Sequence, residues 1–246
     1  MLSVAVIVKN EEKNLPLMLD SVTWADEIVV LDTGSQDRTI EIAKSYGCKV
    51  YESEWLGFGK CKQLAVDYCT NQWILSLDAD EVVTPELRQR ISEILEQSNK
   101  LAGYRIKRKS FYLNKMINHC GWNHDYTLRL FDKTQGGFND KMVHESVQVP
   151  EPIGFIKEPL IHYTYPTTNS HIEKMMLYST ISSQEMFKKG KKATLSGSFF
   201  RAIWKFLDMY FIKLGFLDGK AGFVLCFNSG MGVFWKYAKL WELNNK

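Results

Sequence analysis

The sequence predicts an α/β protein with a mainly parallel central sheet and helices on both of its faces. Over the first hundred residues, short apolar runs rich in β-branched residues alternate with segments whose apolar residues recur at helical spacing. Each run is separated from the next by enough residues for a helical crossover, which places consecutive strands parallel in one sheet. The length of 246 residues suits one large domain, or a domain with an added subdomain.

Four strands are predicted in this first part of the chain, at Val4–Val8, Ile28–Leu31, Cys48–Tyr51 and Trp73–Leu77. The helices that follow them are expected to begin near Leu15, Thr39, Gly59 and Pro85. A glycine at position 47 ends the second helix. The fourth helix has Thr84 as its N-cap and proline at its first position, with Leu87, Ile91, Ile94 and Leu95 as its buried stripe.

The pattern changes after about residue 100. Tyr104–Arg108 and Tyr126–Phe131 alternate apolar and polar residues, as strands with one wet face do. From about His171 the chain is predicted to be helical, and apolar residues between Phe199 and Leu214 recur at three- and four-residue steps. Thirteen of the 32 aromatic residues lie between Phe199 and Trp241, so this end of the chain has a composition of its own.

Bulk composition excludes several classes of protein. Apolar residues make up 45% and charged residues 24%, which excludes a disordered chain, a collagen-like fibre and a coiled coil. The five cysteines form no C-x-x-C pair, which argues against a disulfide framework or a zinc cluster and favours reduced thiols in the cytoplasm. No basic leader precedes the first apolar run, and no apolar stretch is long enough to span a bilayer.

Charge is unevenly distributed along the chain. Residues 1–98 contain 9 Lys or Arg against 17 Asp or Glu, whereas residues 99–246 contain 22 against 11. An acidic first part and a basic second part indicate two tasks, a site near a metal ion and a surface near anions.

Three polar clusters follow predicted strands: Lys9–Glu12, Asp32–Ser35 and Asp78–Asp80. Ligands of open parallel sheets bind beyond the carboxyl ends of the strands, so all three clusters are expected to face one crevice. Asp78 and Asp80 are two carboxylates spaced to reach one Mg²⁺ or Mn²⁺ ion. The simpler alternative is a capping turn, and the position of the pair after the fourth strand favours the metal site.

The other polar clusters leave alternatives open. Asp32 is suited either to bind a nucleoside or to form an Asx turn into the residues that follow it. Asn10–Glu12 forms either the entrance to a helix or part of a nucleoside pocket. The lysines of Gly57–Gln63 oppose the dipole of the helix they begin, which favours a diphosphate partner over a solvated turn. His144 and Glu145 are a candidate metal ligand and general base, although the pair alone is a weak signal.

Together these clusters resemble the inverting glycosyltransferases of family 2, which have the nucleotide-diphospho-sugar transferase fold known as GT-A. The resemblance depends on Val6–Glu12, on Val29–Thr39 and on Leu77–Glu81, which follows about 45 residues later. It is strong over residues 1–100 and looser beyond. Val143–Ser146 and Gly215–Phe223 resemble the branch that builds the lipopolysaccharide inner core, nearest to a β-1,4-glucosyltransferase acting on core heptose.

The resemblance implies a role for each motif residue. Donor binding is expected at Val8, Asn10, Glu12, Asp32, Gly34, Lys62 and Asp78. An Mg²⁺ or Mn²⁺ ion is expected on Asp80, Asp78 and His144, and Glu145 is the expected base, with the roles of the two last residues open to exchange. Many relatives have an acidic pair where this chain has His144 and Glu145. The Q-x-x-R-W motif of processive polysaccharide synthases is absent.

The resemblance also implies the division of the chain and its partners. Residues 1–165 are expected to form the GT-A domain, with donor binding in 1–100 and acceptor binding and catalysis in 101–165, and residues 166–246 an amphipathic helical region that associates with the membrane. The expected partners are UDP-glucose and a glycolipid, at the inner face of the cytoplasmic membrane, with no nucleic acid and no obligate protein partner. Basic residues among the C-terminal aromatics favour a lipid interface, against the alternative of helices packed on the core.

Other functions remain as alternatives. The first is a polyprenyl-phosphate sugar transferase of the same family, which the amphipathic C-terminus also suits. A sugar-1-phosphate nucleotidyltransferase would need a glycine-rich loop after the first strand, which Lys9–Glu12 lacks. A non-enzymatic module that binds nucleic acid through the basic second part is the remaining one.

Overall fold

The computed structural model describes residues 1–122, 125–139 and 146–246. These residues form two compact units. The first comprises Met1–Arg108 and Asp125–His162, and the second Lys109–His124 and Tyr163–Lys246.

Eleven strands are found in the described residues. They are β1 (Leu2–Val8), β2 (Glu27–Asp32), β3 (Lys49–Glu52), β4 (Trp73–Asp78), β5 (Glu81–Val83), β6 (Gly103–Tyr112), β7 (Lys115–Met116), β8 (Tyr126–Asp132), β9 (Gly137–Phe138), β10 (Val147–Gln148) and β11 (Gly154–Tyr165). The main sheet has the order β3-β2-β1-β4-β8-β6-β11-β5, with β7 paired to β6, while β9 and β10 form a separate antiparallel pair.

The α/β fold class is confirmed, and the six predicted strands are all present. β1 pairs in parallel with both β2 and β4, and β2 with β3. Antiparallel pairing begins at β4, since β8 pairs antiparallel with both β4 and β6, and β11 pairs antiparallel with β5. No helix joins β6 to β8 in the described residues, and connections without a helical crossover favour antiparallel neighbours.

Helices cover both faces of the parallel part of the sheet. They are α1 (Leu15–Asp20), α2 (Thr39–Ser45), α3 (Phe58–Tyr68) and α4 (Pro85–Glu96). Val4 and Val6 of β1 pack in one core cluster with residues of α1, α2 and α4, whereas Ala5 packs with α3 in another. Successive side chains of a strand point to opposite faces, and a strand buried on both faces therefore has the continuous apolar run seen at β1.

The start of α4 forms as its sequence predicts. The Thr84 hydroxyl accepts a hydrogen bond from the backbone N–H of Leu87 at 3.2 Å, and Pro85 occupies the first helical position. Leu87, Ile91 and Ile94 are buried against the sheet.

The long strand β11 was not predicted. Its sequence contains Pro159, which lacks a backbone N–H and argues against a strand. The short strand β5 was also missed, because its three residues directly follow the turn after β4.

The second unit contains three long helices: α5 (Thr168–Lys188), α6 (Leu195–Leu207) and α7 (Gly219–Asn244). Its core includes a buried polar cluster, in which the Tyr112 hydroxyl lies 2.9 Å from His171 Nδ1 and Asn228 lies 3.3 Å from the same nitrogen. Burial lowers the pKa of His171 to about 4. Throughout the described ranges, every helix is too short or too polar to cross a bilayer.

Candidate active site

The three polar clusters leave the same edge of the sheet. Val8 of β1 pairs with Asp32 of β2, and Ile7 of β1 pairs with Asp78 of β4. The strands are parallel, so their carboxyl ends lie side by side with β1 in the middle. The prediction that the clusters meet at one edge of the sheet is confirmed, and that they face one crevice stays a prediction.

The loops after β1 and β2 are tied together by side chains of the first cluster. Asn10 has a left-handed backbone (φ 57°), and its Oδ1 accepts a hydrogen bond from the backbone N–H of Gln36 at 2.8 Å. Glu12 Oε2 accepts one from the backbone N–H of Arg38 at 3.3 Å. The carbonyl of Val8 accepts two hydrogen bonds, from the backbone N–H and the hydroxyl of Thr33. Asn10 and Glu12 thus fix the shape of the rim.

Asp32 forms the Asx turn that its sequence allows, but with one carboxylate oxygen only. Its Oδ2 accepts hydrogen bonds from the backbone N–H groups of Gly34 at 2.8 Å and Ser35 at 2.9 Å. Gly34 has φ 99°, a conformation that L side chains rarely adopt, so glycine suits this turn. Asp32 is 2% exposed, and its Oδ1 is buried without a partner.

A chain of ion pairs surrounds Asp78. Its Oδ1 lies 2.8 Å from Lys62 Nζ of α3, and its Oδ2 lies 2.5 Å from Arg129 Nη2 of β8. Arg129 Nη2 also lies 2.6 Å from Glu81 Oε1 of β5. Arg108 of β6 joins the same oxygen of Glu81 at 3.3 Å.

The charged forms of Asp78 and Arg129 stabilise each other. Burial disfavours the ionised Asp78, but the charges of Arg129 and Lys62 outweigh it and hold the pKa of Asp78 well below its usual range. Burial opposes the charge of Arg129 as well, yet Asp78 and Glu81 raise the pKa of this guanidinium above its ordinary value. Asp78 and Arg129 therefore each favour the charged form of the other.

Asp80 lies in the turn between β4 and β5, close to an imidazole. Its Oδ1 is 3.5 Å from Nε2 of His162 on β11, and both side chains are almost buried. The carboxylate of Asp80 is the type of oxygen donor that Mg²⁺ and Mn²⁺ prefer, whereas an imidazole nitrogen is more typical of other transition metals. Both carboxylate oxygens of Asp78 already form ion pairs, one with Lys62 and the other with Arg129. Within residues 1–122, 125–139 and 146–246, no three His, Cys, Asp or Glu side chains group as a metal site.

Two predicted site residues, His144 and Glu145, lie outside the described residues. The metal and base roles assigned to them stay predictions, as do those of the other site residues.

Four further polar residues of the site were missed: Arg129, Arg108, Glu81 and His162. The sequence contained one indication of Arg129, which is a charged residue between Leu128 and Leu130 in a predicted strand. In the structure its side chain is 5% exposed. A buried arginine requires an ionic partner. Which partner it has depends on the pairing of β8 with β4.

Three buried side-chain atoms in the described residues have no hydrogen-bond partner: Asp32 Oδ1, Thr127 Oγ1 and Arg129 Nε. Asp32 ends β2. Thr127 and Arg129 lie on the part of β8 that runs beside the carboxyl end of β4, since Leu130 pairs with Leu75. An unpaired buried polar atom costs about 1–3 kcal/mol, so such atoms at one edge indicate a place for a ligand or water.

Comparisons with known proteins cover most of the chain. The model of the family described as "Glycosyl transferase family 2" matches residues 3–163. An uncharacterized glycosyltransferase of Rickettsia typhi, RT0209, is 31% identical over 100% of this chain and 88% of its own length. The lipopolysaccharide core biosynthesis glycosyltransferase LpsC of Rhizobium meliloti is 26% identical over 98% of this chain and 92% of its own length.

Among solved structures, that of S. aureus TarS 1-349 in complex with UDP is one to which the chain was compared. It is 16% identical, covers 99% of this chain and 91% of its own, and superposes with a TM-score of 0.49.

Proposed function

The chain belongs to glycosyl transferase family 2, and on that premise we propose that it transfers a hexose from a UDP-sugar to a glycolipid at the membrane surface. We propose glucose as the sugar and the heptose of a lipopolysaccharide inner core as the acceptor. The full-length similarity to LpsC supports this acceptor class. Membership of an enzyme family removes the alternative of a non-enzymatic module that binds nucleic acid.

The observation that carries the proposal is the buried, unpaired Oδ1 of Asp32 beside the ion pairs of Asp78. A carboxylate oxygen in that state needs a hydrogen-bond donor, and the imide N–H of a uracil supplies one. Val8, Asn10, Glu12 and Gly34 form the rim around this atom and are proposed to enclose the nucleoside. Their backbone and side-chain bonds hold the rim rigid before the donor arrives.

Lys62 is proposed to face the diphosphate. It is 6% exposed, and its ion pair with Asp78 at 2.8 Å holds the ammonium in one place inside the site. Negative charge grows on the diphosphate as the bond to the sugar breaks, so a fixed cation stabilises the transition state more than the ground state. Asp78 therefore positions Lys62, whether or not it also contacts the ribose or a metal ion.

We propose that Asp80 holds an Mg²⁺ or Mn²⁺ ion, with Asp78 and His144 as the other predicted ligands and His162 as a near neighbour. The bound ion would add a Lewis acid at the diphosphate. The ion pairs of Asp78 with Lys62 and Arg129 make Asp80 the residue best fitted to this task among those described.

The proposed reaction is a single displacement. An oxygen of the acceptor hydroxyl forms a bond to the anomeric carbon while the bond from that carbon to the diphosphate oxygen breaks. The hydroxyl proton passes to a base, for which Glu145 is the candidate, with His144 as its alternative. One displacement inverts the anomeric configuration, so an α-linked donor gives a β-linked product.

Replacing Glu145 with glutamine tests the base. We expect kcat to fall roughly 10²–10⁴-fold, because an amide cannot accept the proton, while the affinity for the UDP-sugar is unchanged. Single-turnover transfer and calorimetric donor binding measure the two effects. The matched control is Glu173→Gln on the exposed start of α5, which should leave both unchanged. An unchanged kcat in Glu145→Gln would move the base to another residue.

A screen of nucleotide sugars tests the reaction itself. UDP-glucose with Mg²⁺ or Mn²⁺ is expected to raise the melting temperature and to be hydrolysed slowly without acceptor, more than GDP- or ADP-glucose does. Asp32→Asn should lose the preference for uridine, since its amide has a donor where uracil requires an acceptor. Equal responses to all three bases would contradict the role of Asp32.

A polyprenyl-phosphate acceptor is the second candidate function. The exposed aromatic residues of α6, with Phe200 68% and Trp204 64% exposed, suit a long lipid chain as well as a glycolipid. Transfer assays with polyprenyl phosphate and with heptose-containing core separate the two acceptors. Both place the enzyme on the inner face of the cytoplasmic membrane.

A further inference from the structure

A groove of about 560 Å³ lies between α6 and α7 in the second unit. Three cationic side chains line it, Arg201 and Lys205 from α6 and Lys236 from α7. Its aromatic wall includes Phe200, Trp204 and Tyr237. The family model ends at residue 163, so this groove lies in a part of the chain that the family match does not cover.

The cations of the groove have no carboxylate partner in the described part of the chain. Arg201 donates a hydrogen bond to the Gly197 carbonyl at 3.2 Å, and its guanidinium lies 4.7 Å from the centre of the Tyr237 ring. Lys236 Nζ lies 5.0 Å from the same ring centre. The carboxylate that lines the groove, Asp208, is bound at 2.7 Å by Lys213.

Positive charge is therefore crowded here. Burial lowers the pKa of Lys205, and the neighbouring charges of Lys213 and Lys236 lower it further against the opposing effect of Asp208. Like charges held together at a protein surface are stabilised by a bound anion, and Arg with Lys is the usual pair of donors to phosphate.

We propose that the α6–α7 groove binds the phosphate headgroup of an anionic membrane lipid. The aromatic wall decides between a lipid and a free phosphate. Phe200 and Trp204 line the groove and remain more than 60% exposed, as do aromatic side chains that enter the interfacial layer of a bilayer. Phe199, Ile203 and Leu207 on α6 extend the exposed apolar surface. A free phosphate would use the cations and leave these side chains in water.

The inference rests on the proposed membrane-surface acceptor and makes it specific. It assigns attachment to one groove in the second unit, whereas the donor and its chemistry belong to the first. Loss of the groove should weaken membrane binding and leave reactions of the donor with water unchanged.

Vesicle co-sedimentation of the full chain tests the inference. The probes are phosphatidylcholine vesicles with and without phosphatidylglycerol. We expect the wild type to bind the anionic vesicles, and Lys205→Gln/Lys236→Gln to bind them at least roughly 10-fold more weakly, from two lost surface cations. The matched control is Lys191→Gln/Lys192→Gln, which removes the same charge from an exposed loop between α5 and α6. It should retain most of the affinity.

Several results would overturn the inference. Equal losses in the groove and control variants would mean diffuse attraction and no groove site, with the proposed function intact. Release of the wild type by inorganic phosphate at the concentration of the lipid phosphate would assign the groove to a free anion. If the wild-type protein did not bind anionic vesicles, this result would contradict both the inference and the proposed membrane-surface acceptor.

Fold integrity is checked by the melting temperature and by the slow hydrolysis of UDP-glucose in each variant. If the double variant melts early, Trp204→Ala replaces it, because this exposed side chain has little to do with folding. A normal vesicle affinity in Trp204→Ala would contradict the lipid as occupant.

Discussion

Replacing Arg129 with methionine is expected to lower the free energy of unfolding by about 3–5 kcal/mol and to abolish transfer. Arg129 is 5% exposed and is the cation shared by Asp78 and the fully buried Glu81. Methionine has a similar length but no charge, so among the described residues Arg108, at 3.3 Å, would be the cation left beside Glu81. Asp78, with Lys62 as its sole cation, would no longer hold that lysine in one place.

Denaturant unfolding and transfer assays measure the two effects. The matched control is Arg90→Met, which breaks the exposed ion pair of Arg90 with Glu93 on α4 and should cost no more than about 1 kcal/mol. Equal losses of unfolding free energy in the two variants would mean that the buried ion pairs contribute no more to stability than the exposed pair. Arg129→Lys should recover part of the stability, because a single ammonium restores the charge without the planar fork of a guanidinium.

The stability of Arg129→Met should also depend on acidic pH differently from that of the wild type. The pKa of Asp78 is depressed in the folded protein, so its ionised form stabilises the fold above its unfolded pKa. That stability is lost as the pH falls through the folded pKa. In Arg129→Met the pKa of Asp78 should move back toward its usual value, and the loss of stability on acidification should become smaller.

Asp80→Asn is expected to lower turnover with Mg²⁺ or Mn²⁺ at least roughly 100-fold, because it removes a metal contact at the leaving diphosphate. The amide retains the size of the side chain but loses the charge that attracts a divalent cation. Calorimetric titration with Mn²⁺ gives a second readout, since the variant should bind the ion more weakly whether or not donor is present.

Asp20→Asn is the control. Asp20 is an exposed carboxylate at the end of α1, and it accepts a hydrogen bond from the Tyr46 hydroxyl. It should leave Mn²⁺ binding and turnover unchanged. Wild-type turnover of Asp80→Asn in EDTA would remove the metal from the proposal. His162→Gln adds a distinction, since normal Mn²⁺ affinity in this variant would exclude the imidazole as a ligand.

The alternation of strands and helices in residues 1–100 was sufficient to predict that the three polar clusters meet at one edge of the sheet. Parallel strands bring their carboxyl ends to one edge, so Asn10, Asp32 and Asp78 had to meet there once the strands were recognised. The start of α4 was equally local, because an N-cap and a proline act on the residues beside them.

Local sequence alone left the choice at Asp32 open. Both alternatives involve the same carboxylate, and the structure gives one oxygen to the Asx turn and leaves the other buried and unpaired. Only the packing around the turn shows that the second oxygen lacks a partner.

The partners of Asp78 and Asp80 were decided by tertiary structure. Arg129 and His162 are 51 and 82 residues away from the aspartates they contact, on strands β8 and β11. Such contacts follow from the order and direction of strands across the sheet, which hydrophobic periodicity does not encode. The sequence by itself determined the family and the edge of the sheet at which the polar clusters meet, because both depend on short motifs. The ionic network within that edge arises only when distant strands pair.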